Sequence, residues 1–515
     1  MRLENYIVRE INRLPKKNLT GRRKIKVHAS KIDESNIVQI LEETLSVHAI
    51  NAAEIDYLYR FYKGEQDIRF KKKFVRESIN EKVTVNRANE IVTFKSAFFL
   101  SEPIQYVSHG GDERIFRLVN QLNEYMRDAG KESNDKSIVD WMHICGVAER
   151  LALRPEEDKE EENDAPFCIY SLDPRTAYVI YHDGIGEKPL AGVILGTDEN
   201  GQRQADIYTK DAHWLVIGDK AKKLATPQYG GVPLVEYLNN EARMGVFETV
   251  LSILNNINLL ESNAVDSIED FVNGFDVFQN CDIEDGAYSQ LSIGGKAVKI
   301  KTVVQGMEAK VYRVSSELSQ SGVQERVDDL TDAYLEICGM PNRNGGSSTS
   351  DTGTAVLYRD GWSEAASRAA ETEVMFRKAE KMFDRIVLNI CRNQQIEVPK
   401  LSEFEPEFPR GNLANMQSKV QTLCEMLNNP KIHPKYAFTI SGLFDDAEEA
   451  YRVSSEYYED YLEDQEKKID KELERERERV ASNGGKANTG SVSSGGSDSI
   501  GNQAAGLEES GGNKE

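Results

Sequence analysis

Apolar and polar positions along the chain alternate in a way that divides it into helical stretches around one strand-rich block. Over 36–63, Ile55, Leu58, Tyr59 and Tyr62 recur at three- and four-residue spacing, which puts one apolar face on a helix. Lys63-Gly64 supplies its stop, because glycine accepts the left-handed conformation at a helix end. A second helix is predicted over 87–100, with Asn86 as N-cap. Pro103 ends it, and Ile104-Gln105-Tyr106-Val107 reads as a strand. Helices are also predicted over 113–128 and 134–150. From Phe167 the runs FCIYSL, TAYVIYH, AGVILGT, ADIYTK and HWLVIGD are β-branched and aromatic, separated by Gly, Asp and Pro. A sheet over 166–237 is therefore expected between helical regions.

The helical pattern returns at 241. Phe247, Val250, Leu254, Ile257, Ala264, Ile268 and Phe271 follow a three-four spacing that Glu261 alone interrupts with charge. After Gly274, weak strand signals run to about 313, among them 298–300 and Val303-Val304. A helix over 316–338 repeats the same spacing with Val323, Val327, Leu330, Tyr334 and Ile337. Such seams want a neighbouring helix, in this chain or in another copy. The stretch 340–354 then holds almost no apolar side chain and is expected to be mobile. A long helix over 355–395 follows at once, with Gly361 inside it as a candidate kink. A short strand and turn over 404–412 precede helices over 413–428 and 445–480. The Gly/Ser/Asn composition of 482–515 predicts disorder. The fold class expected is α+β, mainly helical.

Charge changes this picture in one respect. The chain has 515 residues with a net charge of −22, so it lacks the Lys/Arg surplus needed to grip DNA by phosphate neutralisation. Residues 1–35 run against that balance with Lys16, Lys17, Arg22, Arg23 and Lys24, and read as a basic peripheral arm. The block EEDKEEEND at 156–164 is expected to be an exposed loop. No run is long and apolar enough to span a bilayer, and the start carries charge where an export signal would be apolar.

The search for chemistry is mostly negative. No GxxxxGK[ST] phosphate loop exists; Gly294-Gly295-Lys296 is followed by Ala297 and lacks the first glycine at its required distance. GxSxG and HExxH are absent too. Cys145, Cys168, Cys281, Cys338, Cys391 and Cys424 form no CxxC pair, and none of the seven histidines pairs at ligand spacing. No catalytic residue, metal site or cofactor is expected.

The ordered set of elements resembles the portal proteins of tailed bacteriophages, siphophage type. The resemblance rests on Tyr57-Leu58-Tyr59-Arg60-Phe61-Tyr62-Lys63-Gly64, and on Asn86-Arg87-Ala88-Asn89-Glu90-Ile91-Val92 with Phe99-Leu100-Ser101-Glu102-Pro103-Ile104. It rests also on the Leu172-Asp173-Pro174 turn and on the succession of helix, insertion, helix, polar loop and long helix over 241–396. It implies a wing over 36–240 and 355–410, stem helices over 241–273 and 316–338, and a clip over 274–313 between them. A crown over 413–480 and a tunnel loop over 340–354 complete the set. The DNA-facing residues it implies are Asn342, Arg343, Asn344, Gly345, Gly346, Ser347, Ser348, Thr349, Ser350, Asp351 and Thr352. The stem seam would comprise Phe247, Val250, Leu254, Ile257, Ile268, Val327, Leu330 and Tyr334.

The function so implied is a twelve-subunit ring at the capsid vertex that passes double-stranded DNA. Its implied partners are the terminase large subunit, head-completion or adaptor proteins, and the major capsid and scaffolding proteins, with no membrane. It would reside in the virion, and in the host cytoplasm during assembly. Two other classes stay open: a head–tail adaptor or other helical capsid-assembly protein, and an atypical packaging enzyme.

Overall fold

The computed structural model describes residues 19–73, 78–109, 112–155, 165–225, 229–272, 275–282, 301–304, 306–308, 310–314, 320–342, 361–409, 416–444 and 447–483. The expected acidic loop at 156–164, the tail from 484 onward and residues 1–18 of the basic arm lie outside them.

A two-residue strand β1 (Lys26–Val27) leads into α1 (Ile37–Tyr62), which ends at Lys63-Gly64 as its sequence predicts. The Gly64 and Glu65 amides close back on the carbonyls of Phe61 and Arg60, so the last turn is satisfied. Next come α2 (Arg87–Phe99), β2 (Gln105–Ser108), α3 (Glu113–Asp128) and α4 (Lys131–Cys145). The Asn86 side chain caps α2 by accepting from the Asn89 amide. The fourth helix is shorter than its pattern suggests. Gly146 stops it at φ +87°, and β3 (Val147–Leu153) takes the residues that periodicity assigned to helix. A side chain at Gly146 would also strike the Arg243 carbonyl, so glycine is required twice over.

The strand-rich block holds β4 (Cys168–Leu172), β5 (Ala177–His182), β6 (Pro189–Thr197), β7 (Arg203–Thr209), β8 (His213–Ile217), β9 (Lys220–Ala225) and β10 (Leu234–Leu238). They divide into two sheets. One runs β1-β5-β6-β7-β8-β9, antiparallel except that β1 joins β5 in parallel; the other is β10-β3-β4. Leu151, Val179, Tyr181, Tyr208, Val232 and Leu234 form the apolar layer between them.

Beyond the sheets lie α5 (Leu251–Val272), β11 (Phe275–Gln279), β12 (Cys281–Asp282), β13 (Lys301–Thr302), β14 (Lys310–Val314), α6 (Gln320–Cys338), α7 (Trp362–Asn393) and β15 (Phe404–Glu407). Three helices close the described chain: α8 (Met416–Leu427), α9 (Pro434–Ser441) and α10 (Ala447–Asn483). The short α9 lies where no helix was expected, between the two that were. The architecture is α+β with helices predominating, as the pattern predicts.

The basic segment 19–35 is not peripheral. Ile25, Val27 and Ile32 are buried against the larger sheet and α1. Arg22 is buried, pairing with Glu54 at 3.0 Å and with Glu248 at 3.1 Å. Its charge answers buried carboxylates rather than solvent, which residue counting along the chain could not reveal.

Glu248 carries a testable consequence. Burial pushes its carboxyl up to about 7, against the pull of Arg22 and the Gly245 amide. The folded group therefore holds its proton more tightly than the unfolded one. Its contribution to stability is complete below the ordinary value of 4.5 and is lost as pH rises to about 7. Thermal unfolding at pH 5 and pH 7.5 should show a larger drop in the wild type than in Glu248→Gln; equal drops would refute the assignment.

Candidate functional site

The region with a repeated apolar seam is the α5–α6 pair. Strand β11 follows α5, β14 precedes α6, and the two strands pair antiparallel, so the helices form a hairpin closed by the insertion. Phe247 and Val250 sit at a short 3-10 turn before α5 and are fully buried, as are Leu254 and Ile257. Val327 and Tyr334 on α6 are buried in the same cluster, and Leu330 packs at its margin. The cluster continues into Ile55, Leu58 and Phe61 of α1 and Ala88, Ile91 and Val92 of α2. The rings of Phe61 and Phe247 stack at 6.0 Å. The upper seam is thus filled within one chain. Ile268, farther along α5, is 48% exposed and stands outside that cluster.

A second face of α5 is polar and buried. Asn258, Ser262 and Asp266 recur every four residues and take the backbone of 81–85. Asp266 accepts from the Glu81 amide at 2.7 Å, Ser262 from Val83 at 2.9 Å and Asn258 from Val85 at 2.8 Å. Asp266 also pairs with Lys71 at 2.8 Å. Sequence reasoning missed this ladder, although its four-residue spacing was readable; polar side chains on a helix ordinarily face water.

In the insertion, β12 pairs with β13 as well. Val303 and Val304 are exposed, whereas 298–300 lie outside the described residues.

Of the polar stretch, Asn342 is described, donating to Asp332 on α6 at 2.8 Å. Arg343, Asn344, Gly345, Gly346, Ser347, Ser348, Thr349, Ser350, Asp351 and Thr352 lie outside the described residues. The points where the chain leaves and returns are well defined. A side chain added at Gly361 would stand 3.6 Å from the Pro341 Cα, so the two ends meet. Residues 355–360 of the expected long helix lie outside the described residues; Gly361, at φ +82°, immediately precedes α7, in a conformation L side chains rarely adopt. Trp362 then packs near Phe94 and Phe98 of α2, with ring centroids 6.0 and 6.3 Å away. Lys95 donates to the Gly339 carbonyl at 3.3 Å, and burial lowers its pKa. Cys338 beside it is buried, which pushes its thiol up to about 11 and makes it a poor nucleophile.

The long helix α7 is pinned by buried charge. Glu380 pairs with Lys131 at 2.8 Å and with Arg150 at 3.2 Å, all three nearly inaccessible. Arg150 also pairs with Asp135, donates to Asn134 at 2.8 Å and to the Tyr237 hydroxyl at 3.0 Å, and stacks on the Phe383 ring. Burial opposes ionisation of Glu380, but Lys131 and Arg150 hold it well below the usual range. Burial and the Glu380 charge push Asp384 well up, so Asp384 keeps its proton. The Tyr106 hydroxyl lies 2.9 Å from Glu380 and 2.7 Å from Asp384, within hydrogen-bond reach of both carboxyls. With Asp384 neutral, two cations face two anions, and the cluster balances. Its perturbed groups are sealed from solvent, which marks it as structural rather than catalytic.

Among the described residues, no group of three or more His, Cys, Asp or Glu could hold a metal ion, and no helix is long and apolar enough to cross a membrane.

Residues 43–478 match the family model for phage portal proteins, SPP1 Gp6-like. Among curated proteins, none matches the chain. One similar solved structure is a chain from the neck of an empty GTA particle, computed with C6 symmetry. It is 10% identical with a TM-score of 0.44, covering 76% of this chain and 94% of that one. Another, from the virion of a native gene transfer agent particle, is 11% identical with a TM-score of 0.42, covering 76% and 94%. A third, from the neck of a native GTA particle computed with C12 symmetry, is 8% identical with a TM-score of 0.40, covering 69% and 89%.

Proposed function

The chain belongs to the SPP1 Gp6-like family of phage portal proteins, structural proteins of the capsid vertex, and from that membership we propose how its parts serve the passage of DNA. About twelve copies close into a ring by repeating one heterologous contact. The wing comprises 36–240 with 355–410, and α5 and α6 are the stem. The insertion 274–313 is the clip, where the terminase large subunit and later the head-completion or adaptor proteins dock. Residues 413–480 form the crown inside the capsid, which the major capsid and scaffolding proteins surround during assembly in the host cytoplasm. The chain is a conduit and a docking platform, not a catalyst.

Residues 342–352 are the loop that meets the DNA. The observation that carries this reading is the base of that loop. Pro341 and Gly361, which bracket the stretch that contains this loop, lie against each other, and Trp362 packs near Phe94 and Phe98 beside them. A polar excursion from so firm a base can follow a moving duplex without disturbing the core. The net charge of −22 on each copy keeps the rest of a channel wall from holding phosphate.

Negative-stain images of the purified protein should show rings with a central hole. Monomers or filaments alone at every salt concentration would overturn the reading.

A further inference from the structure

The last two helices pack on each other and turn two unlike faces outward. The contact between α9 and α10 runs through Phe438, whose ring lies 5.9 Å from that of Tyr451, with His433 at 5.8 Å from the same ring. On α9, Tyr436 and Ile440 stand two positions either side of Phe438, so helical geometry puts them on the side away from α10. They are 63% and 65% exposed. After Gly442 the Phe444 ring stacks on Phe438 at 5.3 Å, so the chain leaves α9 without covering that face. On α10, Val453 stands two positions past Tyr451 and Tyr457 one turn further, on the side away from α9. They are 51% and 71% exposed.

The two faces differ in charge. Residues 428–442 hold Lys431 and Lys435, both exposed, and no Asp or Glu. From Val453 to Glu466 there are six carboxylates and no Lys or Arg. Arg452 pairs with Glu456 at 3.0 Å and Lys467 with Glu463 at 3.3 Å. Asp460 and Asp464, three and seven positions past Tyr457, are exposed on its side of α10.

We propose that these faces are the two halves of one contact between copies: Tyr436 and Ile440 of α9 in one copy seat against Val453 and Tyr457 of α10 in the next, with Lys431 and Lys435 facing Asp460 and Asp464. The occupant is a second copy of this chain, because every copy presents both halves, apolar with basic on one helix and apolar with acidic on the other. The halves look away from each other, so a copy cannot close the contact on itself. The contact is therefore heterologous and repeats from copy to copy, the condition for closing a ring rather than stopping at a dimer. Copies of net charge −22 repel one another unless opposite charges are paired where they meet. Apolar contact inside a charged surround is the usual anatomy of a specific interface. This inference rests on the ring proposed above and assigns a contact to its crown.

Introduced cysteines read the contact directly. Cys281 and Cys424 are first replaced by serine; the other four cysteines are buried. Ile440→Cys and Tyr457→Cys are then made singly and together, and rings seen by negative stain are treated with a short bismaleimide. The double variant should give a ladder of dimers, trimers and larger multimers on a denaturing gel, and each single variant monomer alone, because the contact joins unlike faces. Adding Asp460→Lys with Asp464→Lys to the double variant should lower the multimer yield about threefold or more, since like charges then face each other. Adding Lys431→Glu with Lys435→Glu as well should restore it. All six positions are exposed, so the subunit fold should survive, as circular dichroism can verify. No ladder from intact rings, dimers from a single variant, or a yield blind to the charge exchanges would overturn the interface while leaving the ring. A wild-type chain monomeric at every concentration would overturn both.

Discussion

Arg150→Met should lower the stability of the subunit by about 3–5 kcal/mol, the usual penalty for breaking a buried ion pair from one side. Arg150 is fully buried, and its guanidinium meets Asp135, Glu380, Asn134 and Tyr237. Methionine fills much of the same volume but leaves Asp135 and Glu380 with Lys131 as their one remaining cation among these contacts. The surplus negative charge cannot reach water. Adding Glu380→Gln to Arg150→Met restores the balance and should recover part of the loss. Urea unfolding of the dilute subunit measures both variants. A loss under 1 kcal/mol for Arg150→Met, or no recovery in the double variant, would show that the cluster does not pin α7 to the sheet.

Deleting residues 344–350 should leave subunit fold and ring formation intact while reducing DNA packaging at least about tenfold. The stability half rests on geometry. Pro341 and Gly361 lie against each other on either side of the deleted residues, so that base stays in place, and shortening a polar loop is expected to change closure entropy by about 1 kcal/mol or less. The braces at Trp362 and Lys95 are untouched. The packaging half rests on the proposed contact with DNA. The readouts are ring fraction by imaging, then packaged DNA per particle by nuclease protection. Normal packaging by intact rings would dismiss the loop's role, whereas failed rings would mean the segment contributes to assembly.

Much of the fold was legible because much of it is local. The helix over 113–128 lies where its spacing places it, and α1 ends at Lys63-Gly64, where the Gly64 and Glu65 amides close the last turn locally. The apolar seam of Phe247, Val250, Leu254 and Ile257 could be read too, since a helix buries what recurs on one face. What the pattern left open was its partner. The structure gives Val327 and Tyr334 of the same chain, with α1 and α2 behind them. At 134–150 the pattern erred, because Gly146 turns the chain at a point where Arg243 leaves no room for a side chain.

By itself the sequence determined the order and class of the elements, the absence of a phosphate loop, and a polar stretch set between two helices. These follow from neighbours along the chain, where spacing and conformational preference act directly. Only the tertiary structure decided that Arg22 is buried rather than solvated, and that Arg150 meets Glu380 across 230 residues. It alone brought Pro341 and Gly361 together. A buried charge is tolerated only beside its opposite, and which opposite folds back to meet it depends on the packing of the whole chain.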